Sequence, residues 1–341
     1  MARGAHSVPR GVFIDDTAWP GWARAAANVL VWCHVGHALD FAVALLSYVL
    51  LYSGGDGAAP SVAAVVAFDV AVPALLYATA HELAYVRPFL YDRRNAFVAR
   101  KYNPVNQYTD VTGRVLRLRS PNGQLQREVR HTMQGLLVAA AFHVVLSRTV
   151  PLDHAAWRRR PLHFVATLAF TTYVREAHFY VVHRLMHPWF KTSSPYRRYD
   201  LGRWLYVHVH KLHHLSVNPG PWSGLSMHIG EHLLYYTCAL WPLLVGGVYH
   251  PLAYLYTLYH ATIAPIGGHD GRDFPHGASA FHYLHHAKYE CNYGVPLVPF
   301  DRLFGTHRDF EPADKHRPQP PREQPQQQQQ QRRRHDADDT H

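Results

Sequence analysis

Residues 162–187 read LHFVATLAFTTYVREAHFYVVHRLMH, an apolar run that leads directly into two histidines. The run at 162–182 is long enough to cross the roughly 30 Å hydrocarbon core of a lipid bilayer as one helix. On a helix, positions i and i+4 lie on one face, so His183 and His187 can bind one metal ion or two neighbouring ions. The stretch therefore predicts a membrane helix that carries metal ligands at its end.

Two later motifs, HKLHH and HYLHH, repeat one histidine spacing. Their histidines are His210, His213 and His214, and His282, His285 and His286. Offsets of three and four residues place all three imidazoles of a motif on one side of a helix. The eight imidazoles of the three motifs exceed what one ion binds, which predicts a two-metal site. Imidazole suits iron, zinc and copper, so the spacing leaves the metal open.

Further possible ligands lie outside the three motifs. His269 follows the turn-forming PIGG and precedes the third motif by thirteen residues, and it is predicted to be a ninth ligand. Other candidates, either as additional ligands or as groups that hold a ligand imidazole by its second nitrogen, are His260, His228, Glu176, Glu231 and Asp270. A lone histidine on an apolar helix is more often a hydrogen-bonded core residue than a ligand. That interpretation is expected for His34, His37, His81, His143 and His178.

The composition argues against several classes of protein. The net charge is +10, but the basic residues lie in loops and in the C-terminal tail rather than along one helical face with aromatic residues, which indicates a membrane-facing charge and no nucleic-acid partner. Three widely spaced cysteines, Cys33, Cys238 and Cys291, offer neither a disulfide framework nor a CxxC zinc site. The N-terminus has acidic residues where a signal peptide needs its apolar core, so no cleavable signal is expected.

The apolar runs predict an all-α integral membrane bundle of about four or more transmembrane helices. They lie at about 25–52, 62–83, 133–147, 162–182, 233–248 and 251–266. The arginine-rich stretch 87–131 is cytosolic by the positive-inside rule, and two further crossings then put the histidine motifs on the cytosolic side. Arg148 and the arginines at 158–160 conflict with this topology, because they would lie in a lumenal connection. A re-entrant third run is the alternative.

The order and intervals of the histidine motifs resemble the fatty acid hydroxylase superfamily of membrane diiron enzymes, which includes sterol C5-desaturases and C4-methylsterol oxidases. The stretches HDG at 269–271, NYG at 292–294 and DRLFGT at 301–306 are similar to the C-terminal signature of the sterol C5-desaturase branch. One departure is SMHIGEH, which lacks the proline that commonly follows the histidine matching His228. The resemblance covers about 130–310.

The resemblance implies a fold and a set of cofactors. The fold would be a helical membrane bundle capped by a cytosolic helical domain that holds two non-haem irons. It also implies the endoplasmic reticulum membrane, O2 as oxidant, and electrons from NAD(P)H through cytochrome b5 and its reductase. Four segments are expected: a polar segment 1–24, a transmembrane hairpin with a basic loop 25–130, a fatty acid hydroxylase/sterol desaturase-like domain 131–310, and a disordered Pro/Gln/Arg-rich tail 311–341.

The predicted function is that of a membrane diiron oxidoreductase that uses O2 to desaturate or hydroxylate a lipid taken from the bilayer, most simply a sterol in the manner of a C5-desaturase. Cleaving an unactivated C–H bond requires a redox metal. Fatty-acyl or sphingoid hydroxylation and C4-methylsterol oxidation remain open, as do a histidine-lined metal transporter and an inactive scaffold. A transporter is disfavoured because HKLHH lies in a polar stretch and HYLHH follows a Gly/Pro loop, whereas transport ligands belong in the middle of membrane spans.

Overall fold

The computed structural model describes residues 37–52, 59–82, 123–216, 219–246, 250–269, 278–295, 298–309 and 311. Within these ranges the regular elements are helices, so the prediction of an all-α fold is confirmed there. The polar segment 1–24, most of the basic loop, Asp270 and the tail after residue 311 lie outside the described residues.

The longer helices of the described ranges form a bundle. They are α1 (Ala38–Tyr52), α2 (Val62–His81, with a π-helical turn at Ala67–Ala71), α3 (Gln124–Thr149), α5 (Pro161–Leu185) and α9 (Pro251–Ile263), with the short α4 (Ala156–Arg159) before α5. By length and composition α2 and α3 can cross a membrane, and α1 is a shorter apolar helix. The predicted run 133–147 is only the apolar part of the 26-residue α3.

Helix α9 is the centre of the bundle, because all of its residues are buried. A helix that is apolar on every side is stable only when other helices surround it. Its few polar side chains bond to their neighbours: the Ser47 hydroxyl on α1 donates to the Tyr259 hydroxyl at 2.9 Å, and the Tyr77 hydroxyl on α2 donates to the Thr262 carbonyl at 2.8 Å. These bonds fix how α1 and α2 pack on α9.

Apart from α9, the described helices that follow α5 are short. They are the 3₁₀ helix Pro195–Tyr199, α6 (Leu201–His208), the 3₁₀ helices His210–Leu215 and Pro221–Ser223, α7 (Ile229–Tyr236), the 3₁₀ helix Thr237–Leu240, α8 (Trp241–Gly246), α10 (Pro265–Gly268), α11 (Ala278–Lys288) and α12 (Phe300–Leu303). The predicted run 233–248 is therefore three successive short helices, and 251–266 divides into α9 and α10.

Two residues attach α6 to the end of α5. Asp200 caps α6 by accepting from the backbone N–H of Arg203 at 2.9 Å, and its other oxygen accepts from the N–H groups of Trp189 and Phe190. At Gly202 a Cβ would lie 2.1 Å from the carbonyl oxygen of His187, so only glycine allows this approach. The second histidine motif, which follows α6, is thereby returned to the first.

Candidate metal centre

Nine buried histidines form two adjacent groups, and within each group the candidate ligand atoms lie within 4.8 Å of one another. The first group contains His183, His187, His210, His214 and His285, and the second contains His213, His269, His282 and His286. The structure thus brings together the eight histidines of the three motifs and His269. The groups are neighbours, since the ring centroids of His214 and His286 are 4.9 Å apart.

Each HxxHH motif contributes to both groups. His210 and His214 face the first group while His213 faces the second, and in the third motif His285 faces the first group while the outer two face the second. The second motif lies on a 3₁₀ helix, His210–Leu215. The two motifs therefore bridge the groups and fix their separation.

Backbone carbonyls and one carboxylate determine which nitrogen of several imidazoles carries the proton. The Nδ1–H of His183 donates to the Tyr293 carbonyl at 2.5 Å, and that of His285 donates to the Cys291 carbonyl at 2.7 Å. The Nδ1–H of His210 donates to Glu231 Oε1 at 2.7 Å. A neutral imidazole that is protonated at Nδ1 has its lone pair on Nε2, which is the arrangement of a metal ligand.

The lone pairs of the first group converge on one point. Nε2 of His210 lies 3.0 Å from Nε2 of both His183 and His214, and Nε2 of His214 lies 3.3 Å from those of His187 and His285. One Nε2 offers a single lone pair or a single hydrogen, so it cannot form three hydrogen bonds. Lone pairs that face each other in a buried site repel unless a cation lies between them.

The spacing of these nitrogens fits a transition-metal ion. At a metal–nitrogen distance of about 2.1 Å, neighbouring ligands are about 3.0 Å apart in octahedral and about 3.4 Å apart in tetrahedral geometry. The second group has the same spacing, with 3.2 Å between Nε2 of His213 and His269 and 3.2 Å between Nε2 of His282 and His286. The residues present therefore fit one ion in each group.

Burial keeps these imidazoles neutral. It lowers the pKa of His213, His214, His282 and His286 well below the usual 6.5, and the neighbouring imidazoles add to the effect. Burial also lowers the pKa of His269 to about 4. Because a metal binds the neutral ring, the ligands are available at neutral pH without losing a proton.

The loop that supplies the two carbonyls is held by the C-terminal signature. Asp301 accepts from the backbone N–H groups of Tyr293 and Gly294 at 2.8 and 2.7 Å, and from the Thr306 hydroxyl at 2.6 Å. Asn292, at a positive φ of 57°, binds the Phe281 carbonyl and the backbone of residue 308. Sequence reasoning noticed NYG and DRLFGT as a resemblance but did not predict this contact between them.

The remaining candidates lie in different places. Glu231 contacts a ligand imidazole, that of His210. Glu176 contacts Arg175 and His260 instead, and none of Glu176, His260 and His228 belongs to the two groups. His228 caps α7, since its Nδ1 accepts from the Gly230 N–H at 3.1 Å.

Aromatic side chains line the groups. Phe179 stacks on His183 with centroids 5.0 Å apart and lies 6.4 Å from His282, so it contacts both groups. Tyr206 packs on His187 and His214 at 5.2 and 5.7 Å. Aromatic rings thus lie against both groups.

Part of the chain is similar to known proteins. Residues 167–306 match the family model described as fatty acid hydroxylase. The Delta(7)-sterol 5(6)-desaturase ERG3A of Gibberella zeae is 29% identical over 135 residues, which cover 36% of this chain and 37% of that protein. The very-long-chain aldehyde decarbonylase GL1-11 of Oryza sativa subsp. japonica is 28% identical over 185 residues, 49% of this chain and 60% of that protein.

A third relative is the Delta(7)-sterol 5(6)-desaturase erg32 of Schizosaccharomyces pombe, 33% identical over 113 residues, 31% of this chain and 33% of that protein. The matches thus span between about a third and three fifths of these relatives. No solved structure matches the chain. Residues 167–306 are therefore similar to the fatty acid hydroxylase family, and parts of the chain are similar to sterol C5-desaturases and to aldehyde decarbonylases.

Proposed function

We propose that this protein is a membrane diiron oxidoreductase that uses O2 to desaturate or hydroxylate a lipid, with a sterol as the first candidate substrate. The observation that carries the proposal is the pair of adjacent groups in which imidazole lone pairs converge, on a domain of the fatty acid hydroxylase family. Two irons bound there would supply the reduction of O2 and the abstraction of hydrogen from carbon.

The proposed reaction consumes electrons from outside the protein. Desaturation removes two hydrogen atoms from neighbouring carbons, and with two further electrons and two protons O2 becomes two water molecules. Hydroxylation inserts one oxygen atom into a C–H bond and releases the other as water, with the same two electrons and two protons. We propose NAD(P)H as the source of the electrons and cytochrome b5 with its reductase as the carriers.

The residues of this chain position the metals and exclude water. The carbonyls of Tyr293 and Cys291 and the carboxylate of Glu231 hold three ligand rings in the orientation that presents Nε2. All nine imidazoles are buried, so bulk water does not reach the donors. Phe179 is the apolar side chain that contacts both groups, and we assign it to the wall against which the reacting carbons of the lipid lie.

A lipid substrate agrees with the outer surface of the bundle. Large apolar side chains are exposed along α5, including Leu162, Val165, Phe170 and Val181. Side chains of this kind are stable on the outside of a helix when lipid surrounds it. We place the protein in the endoplasmic reticulum membrane with the metal centre on the cytosolic side.

The aldehyde decarbonylase relatives support a second substrate class, long-chain lipids. The match to aldehyde decarbonylases covers more of this chain than the match to the sterol desaturases does, which favours a long-chain lipid as the second candidate. Hydroxylation of a fatty-acyl or sphingoid chain would use the same metal centre.

The test is expression in a yeast strain that lacks sterol C5-desaturase, followed by profiling of sterols and acyl lipids. Restored C5 desaturation by the wild type, and none by His214→Ala, is the expected result. A new hydroxylated acyl or sphingoid lipid instead would establish the second candidate. Purified protein with two irons per chain that consumes O2 would exclude a metal transporter, and protein without iron that changes no lipid would refute the proposal.

A further inference from the structure

An apolar and aromatic surface lies directly after the C-terminal end of α5. We call it the aromatic rim, and it consists of Trp189, Phe190, Tyr196, Tyr199, Leu201, Trp204 and Val207. Trp204 is 55% and Tyr199 is 69% exposed. Soluble proteins rarely expose so many large apolar side chains in one short segment unless another surface covers them.

The members of the rim are held side by side. The rings of Phe190 and Tyr196 lie 6.0 Å apart, and the Arg197 guanidinium donates to the Phe190 carbonyl. Asp200 binds the backbone of Trp189 and Phe190 and caps α6, which carries Trp204. The rim is therefore one ordered surface rather than a set of separate side chains.

The charges of this segment have one sign on the outside. Lys191, Arg198 and Arg203 are exposed and Arg197 is half-buried, whereas Asp200, the acidic residue between 188 and 208, is buried and bound to three backbone N–H groups. Aromatic residues mixed with lysine and arginine are typical of the headgroup region of an anionic bilayer.

The rim continues the apolar surface of α5. Val181 and Leu185, on the last turns of that helix, are 53% and 46% exposed. The Trp189 indole N–H donates to the Leu185 carbonyl, so the rim begins where α5 ends. If lipid surrounds α5, the same bilayer reaches its headgroup region at the rim.

The inner face of α6 contacts the metal centre. Tyr206 packs on His187 and His214, while Trp204 and Val207 point outward. An α-helix is about 10 Å wide, so the ligand rings lie about one helix width from whatever covers the rim.

We propose that the aromatic rim lies in the headgroup region of an anionic bilayer, with Trp204 among the upper acyl carbons and Arg197, Arg198, Arg203 and Lys191 on lipid phosphates. In this position α6 holds the metal centre at the membrane surface, where a lipid reaches it without crossing water. The inference rests on the membrane location given under the proposed function. A second copy of the chain or an acidic protein would be the other possible cover.

The test uses the full chain in lipid nanodiscs that contain phosphatidylserine, with brominated acyl chains as contact quenchers. The difference in emission between the wild type and Trp204→Phe isolates Trp204. Bromine should reduce that signal, because an interfacial tryptophan lies close to the upper acyl carbons. Trp222→Phe is the matched control, because Trp222 is buried in the core and its signal should stay unquenched.

Two further measurements show whether a bilayer or a second copy of the chain contacts the aromatic rim. The double variant Arg198→Gln, Arg203→Gln should lose part of the quenching in anionic discs and none in discs of phosphatidylcholine alone. An unquenched Trp204 in discs would overturn the proposal, and a dimer that Trp204→Asp separates would identify a second copy as the cover. Iron content and lipid profiles are independent of Trp204 fluorescence, so failure of the oxidase proposal is recognised separately.

Discussion

The histidines of the metal centre and two histidines of the helix bundle, His143 and His260, are equally buried, but their ring nitrogens face different partners. In the centre, Nε2 of His214 faces three other imidazole nitrogens at 3.0–3.3 Å. In the bundle, His143 donates from Nδ1 to Asp69 at 2.7 Å and its Nε2 accepts from the Tyr52 hydroxyl at 2.7 Å. A proton satisfies the second arrangement, whereas the first fits a metal ion.

His260 belongs with the bundle by this criterion, although sequence reasoning considered it a possible ligand. Its Nδ1 lies 3.0 Å from Asp40 and its Nε2 lies 3.3 Å from Glu176. Both nitrogens face carboxylate oxygens, which accept hydrogen bonds, so the ring can donate to both acids. His37, which also contacts Asp40 at 3.1 Å, completes this group. Burial alone therefore does not identify a ligand, but the chemistry of the facing atom does.

The largest effect is expected for His214→Ala in the metal centre. This change removes the nitrogen that lies nearest to three others, and we expect loss of bound metal and a decrease in lipid oxidation of more than about 100-fold. Metal content by mass spectrometry and product analysis measure both. His143→Gln is the matched control in the bundle and should keep its metals. A His214→Ala protein with full metal content would contradict the assignment of His214 to a metal-binding group.

Acid should unfold the metal-free centre. The pKa of His269 falls from 6.5 to about 4 on folding, and those of His213 and His282 are also lowered. The unfolded chain therefore binds protons that the folded chain does not, so stability is full above about pH 6.5 and decreases toward about pH 4. Thermal unfolding of chelator-treated protein across this window should show a falling Tm. A Tm that does not change with pH would mean that the imidazoles are not buried as described.

Asp40→Asn tests the bundle. It removes one charge from the His260 group and leaves the opposite charge buried, which should destabilise the fold by about 3 kcal/mol or more while the metal content stays the same. Denaturation in detergent and metal analysis measure the two quantities. Loss of one metal ion per chain in this variant would show that the group of His37, Asp40 and His260 binds a metal. The distinction between metal-binding and proton-bonded histidines would then be wrong.

Glu231→Ala should weaken metal binding without abolishing it. The carboxylate accepts the Nδ1–H of His210, and removing such a partner typically lowers metal affinity by about 10–100-fold. Glu231→Gln keeps an acceptor oxygen and should recover part of the affinity. Retention of metal against a graded series of chelators measures the difference. Equal affinity of all three proteins would mean that His210 does not need the carboxylate.

Tyr52→Phe should have the smallest effect. It removes one hydrogen bond to His143 and should cost about 1 kcal/mol of stability, with no change in metal content or activity. A decrease in metal binding would indicate coupling between the bundle and the centre.

Local spacing explains how much of the centre could be predicted. HxxxH and HxxHH place imidazoles on one side of a helical turn independently of the rest of the fold. The eight motif histidines could therefore be predicted as ligands from the sequence alone. His269 and His260 are both single histidines near the end of an apolar run. The PIGG turn and the nearby third motif favoured His269, but the partner that places His260 outside the centre is Asp40, 220 residues earlier in the chain.

The motif spacing could not show which histidines belong to the first group and which to the second. That division depends on the 3₁₀ helix at His210–Leu215 and on α11, which approach each other from distant parts of the chain. The role of NYG and DRLFGT was hidden for the same reason. Asp301 acts through the backbone N–H groups of Tyr293 and Gly294, and a contact between loops leaves no periodic pattern.

The sequence by itself determined the all-helical class in the described ranges and the set of histidines that meet, because these follow from apolar length and from spacing within one helical turn. The tertiary structure alone decided which histidine faces which group, which carbonyl or carboxylate holds its proton, and which buried histidines face carboxylates instead. The physical reason is that a lone pair has a direction, and that direction is set only when separate segments pack together.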